Sequence, residues 1–598
     1  MRRDQISLFD LPVITIPLEE RVARATATIA RIFEAGTPIC VSFSGGKDSG
    51  TCADLVLCAA RMLAKTTSHK PLVIVTTGDT LVENPEITAH YRKELKKMEA
   101  FGKQHGFRVI TRIAKPALLS TWQLKVLSGR GLPSFAGQNT DCSYDLKISS
   151  QVSMRKSVFR ELAQAGLPEA VTILGTRFDE SEKRSLNMLL RGENDFSPVR
   201  NSDGDLILAP IAEWETDTVF EYLGTRTVGE SSYSDFRDTL RIYAHAEGQS
   251  CAIVASVIQD GMAKRKKGGC GTRTGCWVCQ QAEDKSLANM VAYDPMYEYA
   301  AGLNKLNVFI RNTRYDLTRR HWIGRTIKAG FIAIEPDTYS PAMVREIYRY
   351  MIQLQHDEAV RARRAGQHPK FTIFSDEMIL ALDAYWSLNG MARPFTAWAD
   401  ADDIRSDRVR YDIPEVDLVP RHDMPPAMFL HVGTQWDDSL PTSEISGLRD
   451  SYMESLLEIS ACGPSIKETR SGNLIWDLET ESSFKVDSES TAMIMDFEMD
   501  RLLEQHRQGV GSALPGSITH GYKWYLMYGA IQLNAAQTAK HDEILRRTAF
   551  KDSLGLCLDY DLADVLKRSV RYCDLPDDAR QAWSRKATTS SAQTDLIW

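Results

Sequence analysis

The segment that most restricts the fold is short. Ile39-Cys40-Val41-Ser42-Phe43 reads as a buried strand, and Ser44-Gly45-Gly46-Lys47-Asp48-Ser49-Gly50 follows it directly. Thr51 to Leu63 then carries a helical apolar pattern. Two adjacent glycines let the backbone turn tightly and approach a ligand closely. The N–H groups of such a turn point inward as an anion nest, and the helix dipole adds positive potential. Lys47 contributes a charge for phosphate oxygens, and Ser44 and Ser49 contribute hydroxyls. The Walker spacing, four residues between the first Gly and Gly-Lys, is not met.

The surrounding pattern alternates. A helix is expected over 18–35, with Val22, Ile29, Ile32 and Phe33 on one stripe. Strands are expected at 72–75, 107–113, 171–174 and 206–208, with helices at 87–105, near 147–165 and at 216–223. Alternating strands and helices imply parallel βαβ units and a doubly wound sheet, so the expected class is α/β. Ligands of such sheets sit beyond the C-terminal strand ends. The loop at 44–49 and the segments after Val75 and Leu174 converge there. Arg177 in the last segment suits phosphate charge or a surface ion pair. Asp48 and Asp79 are candidate Mg²⁺ contacts.

A length of 598 residues allows two to four domains. The expected layout is 1–225 for the sheet, 226–290 for a cysteine-rich segment, 291–365 for a helical region, 366–585 for an extension, and 586–598 for a Ser/Thr-rich disordered tail. No apolar run reaches the roughly 18 residues of a membrane span. Met1-Arg2-Arg3-Asp4-Gln5 is not followed by a signal-like apolar block, so a cytoplasmic location is expected with no membrane partner. The net charge of −7 means that any nucleic-acid contact must be a local basic patch. The best candidate is Arg311, Arg314, Arg319, Arg320, Arg325 and Lys328 with Tyr315 and Trp322 interleaved. A solvated helix face explains the same residues.

Eleven cysteines in a cytoplasmic chain do not suggest a disulfide framework. Cys40, Cys52, Cys58, Cys462, Cys557 and Cys573 read as small buried hydrophobes. Cys270, Cys276 and Cys279 lie within ten residues, and Cys251 is nineteen residues upstream. Four thiolates can hold an iron–sulfur cluster or a tetrahedral Zn²⁺, and buried unliganded thiols are the third reading. Lys264-Arg265-Lys266-Lys267 and Arg273 would offset a negative cluster or face a nucleic-acid backbone. Cys142 precedes a helix, where a thiol is more acidic and nucleophilic; a structural thiol is the alternative.

The loop resembles the signature of the N-type ATP pyrophosphatases. The order of segments narrows the resemblance: Ser44 to Ser49, Asp79-Thr80-Leu81-Val82-Glu83-Asn84-Pro85, Gly129-Arg130-Gly131 before Cys142, Leu174-Gly175-Thr176-Arg177, Pro210-Ile211 with Trp214, and Gly275-Cys276-Trp277-Val278-Cys279 followed by Asp284-Lys285-Ser286. Over about 15–365 the chain resembles the DndC-type sulfurtransferases of DNA phosphorothioation, with the SspD-type enzymes of single-strand systems as close relatives. The resemblance implies an adenine-nucleotide alpha-hydrolase-like sheet, an iron–sulfur insertion and a mostly helical C-terminal extension. It also implies ATP-dependent adenylation of a DNA backbone oxygen, followed by sulfur insertion in bacterial defence.

By position, Ser44, Gly45, Gly46, Lys47, Asp48, Ser49, Asp79 and Arg177 would bind ATP, with Lys47 and Asp48 also catalytic. Cys142 would handle sulfur, and Cys251, Cys270, Cys276 and Cys279 would hold a [4Fe–4S] cluster, with Zn²⁺ as the alternative. A cysteine desulfurase and other subunits of a phosphorothioation complex would be partners. Asp141 and Ser143-Tyr144 depart from the family's usual flanks of Cys142. A phosphosulfate reductase, a tRNA thiolase, or a nucleotide-binding defence subunit without turnover are the competing readings.

Overall fold

The computed structural model describes residues 16–67, 70–132, 142, 144–180, 182–202, 204–228, 231–246, 275–279, 285–437, 448, 465–468, 474–477, 484–507 and 518–592. The chain forms two compact units that interleave along the sequence. One comprises Met1–Lys115, Lys147–Gly275 and Lys285–Glu298; the other comprises Pro116–Leu146, Cys276–Asp284 and Tyr299–Trp598.

The first unit follows the expected alternation. Helix α1 (Leu18–Glu34) leads into β1 (Ile39–Ser42), α2 (Lys47–Thr66), β2 (Leu72–Gly78), α3 (Pro85–His105) and β3 (Arg108–Ala114). Then come α4 (Ser149–Gln164), β4 (Val171–Ile173), α5 (Glu182–Leu190), β5 (Val199–Arg200), β6 (Leu206–Leu208), α6 (Thr216–Gly224), α7 (Arg237–Ala246) and α8 (Lys285–Tyr293). The strand order is β3-β2-β1-β4-β6-β5. All neighbours pair parallel except β5, which runs antiparallel to β6. The fold is therefore α/β with a six-stranded, mostly parallel sheet.

Side chains alternate across β1 because a strand has a period of two. Ile39 and Val41 join Val73, Val75 and Ile173 in a core with residues of α1 and α2. Cys40 and Ile74 face the other way, against Val158 and Leu162 of α4. Helices thus cover both faces. The start of α3 is fixed locally: the Asn84 side chain accepts the Glu86 N–H at 3.0 Å, and Pro85 takes the first turn.

The second unit departs from expectation in three places. Residues 116–146 belong to it, although the sequence placed them with the sheet. The reason is packing: Leu127 O accepts from Trp386 Nε1 at 2.6 Å, Ile373 O from Gln123 Nε2 at 3.2 Å, and Ser128 O from Asn389 Nδ2 at 2.9 Å. The expected helical region 291–365 holds α9 (Ala301–Asn312) and α10 (Pro341–Arg364), but between them lie strands β7 (Arg320–Lys328) and β8 (Phe331–Tyr339). Ala329 at φ 47° and Gly330 at φ 74° join these strands in a tight turn with two left-handed residues. The hairpin extends to a four-stranded antiparallel sheet, β14-β9-β8-β7, through β9 (Met428–His431) and β14 (Val570–Arg571).

Third, the tail expected to be disordered from 586 is helical to Ala592, within a helix that starts at Asp577. Asp577 and Asp578 in the first turn favour its start. The remaining described elements of this unit include α11 (Asp376–Asn389) and α12 (Thr396–Arg405), on either side of Pro394, and the antiparallel pairs β10 (Ser465–Glu468) with β11 (Leu474–Asp477) and β12 (Lys485–Val486) with β13 (Ile531–Gln532). Further helices run at Trp122–Leu127, Ser488–Met493, Met499–Arg507, His520–Met527, Ala535–Ser553 and Leu562–Arg568. The apolar spacing near 444–460 predicts a helix, and that stretch falls outside the described residues apart from Leu448.

The basic stretch at 311–328 does not form a stacking platform. Tyr315, Trp322, Arg314 and Arg320 are buried. Arg319 pairs with Glu346 at 2.6 Å, and Arg325 donates to Arg130 O at 2.6 Å. No helix among the described residues is long and apolar enough to cross a membrane.

Candidate nucleotide site

Strand β1 is central, with β2 and β3 laid down on one side and β4 and β6 on the other. The connections after β1 and β4 therefore leave the sheet in opposite directions, and a crevice opens at their C-terminal ends. The Ser44–Ser49 loop occupies this position. Gly45 sits at φ 77°, which a side chain rarely tolerates. The Ser44 backbone N–H and Ser44 Oγ lie 3.1 and 3.0 Å from Ser49 Oγ, which itself donates to Gly46 O at 3.2 Å. These bonds close the loop from within. Gly46 is the N-cap of α2 and has no side chain to cap it; the Tyr243 hydroxyl stands 3.3 Å from Lys47 N, the first N–H of the helix. The first-turn N–H groups have no carbonyl four residues back, so they remain oriented for an anion.

Lys47, Asp48 and Arg177 form a chain of alternating charge. Lys47 Nζ is 2.7 Å from Asp48 Oδ2, and Arg177 Nε is 2.7 Å from Asp48 Oδ1. Arg177 is only 1% exposed. Its remaining donors reach Trp214 O at 3.1 Å, Thr216 Oγ1 at 3.1 Å and Asp179 Oδ2 at 3.4 Å. The structure thus places Arg177 behind Asp48, orienting that carboxylate rather than facing a phosphate.

The approach of Arg177 depends on Gly175. A Cβ at Gly175 would lie 2.9 Å from Ser49 N and 3.0 Å from Asp48 C, so no side chain fits there without moving backbone. Asp79 closes a turn instead of facing the loop. Its Oδ1 accepts the Leu81 N–H at 3.0 Å, and its Oδ2 takes Arg92 at 3.1 Å. With both oxygens of Asp48 and of Asp79 held by cations or backbone, neither residue presents an unengaged carboxylate to Mg²⁺. Among the described residues no group of three His, Cys, Asp or Glu is arranged to hold a metal ion.

Of the residues that hold this site, Trp214 and Gly175 were legible in the sequence only as parts of resembling segments, and Thr216, Arg92 and Tyr243 were not legible. Trp214 and Thr216 hold Arg177, Arg92 holds Asp79, and the Tyr243 hydroxyl lies 3.3 Å from Lys47 N. Gly175 also carries a local signal, as a glycine directly after a strand end. Within α2, Asp54 is fully buried and accepts from Tyr222 Oη and Ser232 Oγ, both at 2.7 Å. Burial raises its carboxyl above the usual range, partly offset by these bonds.

The cysteines divide. Cys40, Cys52 and Cys557 are buried as expected, and burial pushes Cys40 and Cys557 up to about 11. Cys58 is half-buried and donates to Ser231 O at 3.0 Å, while Cys573 is exposed, unlike the expected buried hydrophobe. Cys462, Cys251 and Cys270 lie outside the described residues. Cys276 and Cys279, both half-buried, lie in one tight turn of the second unit, where the Cys279 N–H donates to Cys276 O at 2.9 Å. Asn307 Nδ2 fixes that turn through Trp277 O at 2.8 Å and Cys279 O at 3.1 Å. Trp277 and Val278 anchor it by burial. A rigid turn with two thiols three residues apart fits two ligands of a metal or cluster. Cys142 is half-buried and helical, just before a π-helical turn at Tyr144–Ile148 that leads into α4.

Neither the protein-family models nor the curated proteins contain a match to this chain.

Proposed function

We propose that this chain is an ATP-dependent sulfurtransferase acting on a DNA backbone phosphate. The observation that carries the nucleotide part is the place of the Ser44–Ser49 loop, at the end of the central strand, where the sheet order reverses, on a helix whose N-cap is a glycine. The DNA part is supported by the ordered segments from Ser44 to Ser286 that resemble the phosphorothioation enzymes.

In this reading a non-bridging oxygen of the DNA phosphate attacks the α-phosphorus of ATP. The α–β bond breaks, and pyrophosphate leaves into the loop, where backbone N–H groups and Lys47 stabilise its charge. Sulfur from a cysteine persulfide, with Cys142 as carrier, then attacks the DNA phosphorus, and AMP leaves with the original oxygen. A second thiol cleaves the remaining S–S bond, leaving the phosphorothioate and a cysteine disulfide. A dithiol reductant would reopen the disulfide, becoming a disulfide itself, and a cysteine desulfurase would then transfer a sulfur atom to the freed Cys142 thiol. Cys276 and Cys279, with Cys251 and Cys270, would hold an iron–sulfur cluster, which supplies electrons or stored sulfur when bound. The carboxylates of Asp48 and Asp79 are engaged, so no step is assigned to Mg²⁺ through them.

The test is pyrophosphate release with and without DNA, paired with mass spectrometry of DNA digests for phosphorothioate dinucleotides. Both signals are expected from the wild type and lost in Lys47→Ala. Full sulfur incorporation by Lys47→Ala would sink the proposal. The engaged carboxylates favour one alternative, a phosphosulfate reductase, which binds its nucleotide in the same loop without cleaving ATP. Preference for a nucleotide phosphosulfate over ATP in direct competition would select it.

A further inference from the structure

The most informative contact outside the assigned residues is on α7. The Tyr243 hydroxyl lies 3.3 Å from Lys47 N, in the place where a phosphate oxygen would accept that N–H. A Cβ on Gly46 would lie 3.1 Å from the same hydroxyl, so the oxygen sits over the helix end itself. The Tyr243 ring also covers the Lys47 side chain, with Nζ 5.7 Å from its centroid, and Phe220 of α6 lies 6.0 Å away from the same Nζ. Lys47 is consequently buried and turned towards Asp48. One N–H cannot serve a hydroxyl and a phosphate oxygen at full strength, so the two compete.

Helix α7 is well placed to report the outcome. One helical turn along α2, Gly50 meets Phe236, whose Cε1 would be 3.4 Å from a Cβ there. Gly46 and Gly50 therefore form one small-residue edge along which the segment 236–243 packs. At its other end α7 is tied to α8 and to the turn after it: Asn289 Nδ2 donates to Ala246 O at 3.0 Å, and His245 Nδ1 lies 2.8 Å from Tyr297 Oη beyond α8. In sequence, α7 ends five residues before Cys251, and α8 begins six residues after Cys279.

We infer that Tyr243 is the gate of the phosphate loop: a nucleotide phosphate displaces its hydroxyl from the Lys47 N–H, and the displacement passes along α7 to α8, coupling nucleotide occupancy to the helices that bracket the cysteine-bearing segment. This rests on the nucleotide reading of the loop and adds its regulation.

The test uses the full chain and α,β-methylene ATP, whose α–β link cannot be cleaved. Binding is measured by calorimetry, and amide hydrogen exchange is followed over 237–246 and 285–293. Tyr243→Phe keeps the ring and removes the competing oxygen. Its affinity is expected to rise about two- to tenfold, the range that one net hydrogen bond gives. In the wild type the analogue should speed exchange in both helices; in Tyr243→Phe exchange should already be fast and unmoved by ligand. Asn289→Ala should keep the wild-type affinity and lose the response over 285–293. Unchanged or weaker binding by Tyr243→Phe, with normal wild-type binding, overturns the gate alone. Unmoved exchange over 285–293 in the liganded wild type overturns the coupling. No binding by the wild type overturns the nucleotide reading itself, and the gate with it.

Discussion

The charged line at the loop and three isolated groups in the core of the second unit bury charge on different terms, although each unit also holds the other kind: Asp54 among hydroxyls in the first, the Arg546–Asp542 pair in the second. In the first, Lys47, Asp48, Arg177 and Asp179 form a line of alternating sign with neighbours 2.7 to 3.4 Å apart, and the line ends at the phosphate loop. In the second, Asp383 is buried against neutral donors only, the N–H groups of Phe395 and Ala397 at 2.8 Å and Tyr525 Oη at 2.9 Å. His541 meets two tyrosine hydroxyls, and His321 is buried with Nδ1 unpartnered. A linked series of charges suits a site that must accept another charge. Single ionisable groups among neutral partners suit a core that must stay put, and their proton equilibria shift accordingly. Burial holds His321 down at about 3 and His541 at about 4, and pushes Asp383 up to about 6.

The comparison predicts that damage in the second unit appears as lost stability and damage at the loop as lost chemistry. Trp386 is fully buried and hydrogen-bonded to Leu127 O. Trp386→Ala should cost about 3–5 kcal/mol in urea unfolding. A cost below about 1 kcal/mol would show that the core is not organised around it. Lys47→Ala should slow pyrophosphate release by about 100- to 1000-fold while leaving the melting temperature unchanged. A fall in melting temperature matching the fall in rate would erase the contrast between the units.

Acid should sharpen the contrast. A histidine with a depressed folded pKa contributes stability that is present above its unfolded value near 6.5 and is lost as pH falls towards the folded value. His321 and His541 should each lose roughly 3 kcal/mol by pH 4. Asp383 works in the opposite direction. Its raised pKa means the folded state takes up a proton first as pH falls through 6, which offsets roughly 2 kcal/mol by pH 4. Urea unfolding at pH 7 and pH 4.5 should show a flatter pH dependence in His321→Phe than in the wild type. Equal slopes would remove His321 from the account. A smaller effect is expected at Gly175→Ala, about 1–3 kcal/mol of strain with weakened nucleotide binding, because the added methyl meets backbone at 2.9 Å.

These tests fall unevenly on what the residues alone could tell. The β1–loop–α2 unit was legible because strand, turn and helix signals are contiguous from Ile39 to Leu63. The Asn84-Pro85 start of α3 was legible for the same local reason. Tyr243 was not, because 196 residues separate it from Lys47. The role of Arg177 was half legible: its place after a strand was clear, but Trp214 and Thr216, which turn it inward, lie 37 and 39 residues on. The β7–β8 hairpin escaped because its turn is Ala329-Gly330, without the Asn-Gly or Asp-Gly signal. Arg319, Arg320, Arg325 and Lys328 also mask the alternation of its strands. The two-residue β5 is too short to leave a pattern.

That turn has a practical side. Alanine holds the left-handed conformation only against its steric preference, at φ 47°, a penalty of roughly 1–2 kcal/mol that glycine does not carry. Ala329→Gly or Ala329→Asn should therefore raise the unfolding midpoint modestly, with a gain somewhat below that penalty. The position belongs to the second unit and its hairpin, and none of the loop-binding side chains is altered. An engineer seeking a sturdier preparation for calorimetry or crystallisation has an entry point here that leaves the chemistry alone.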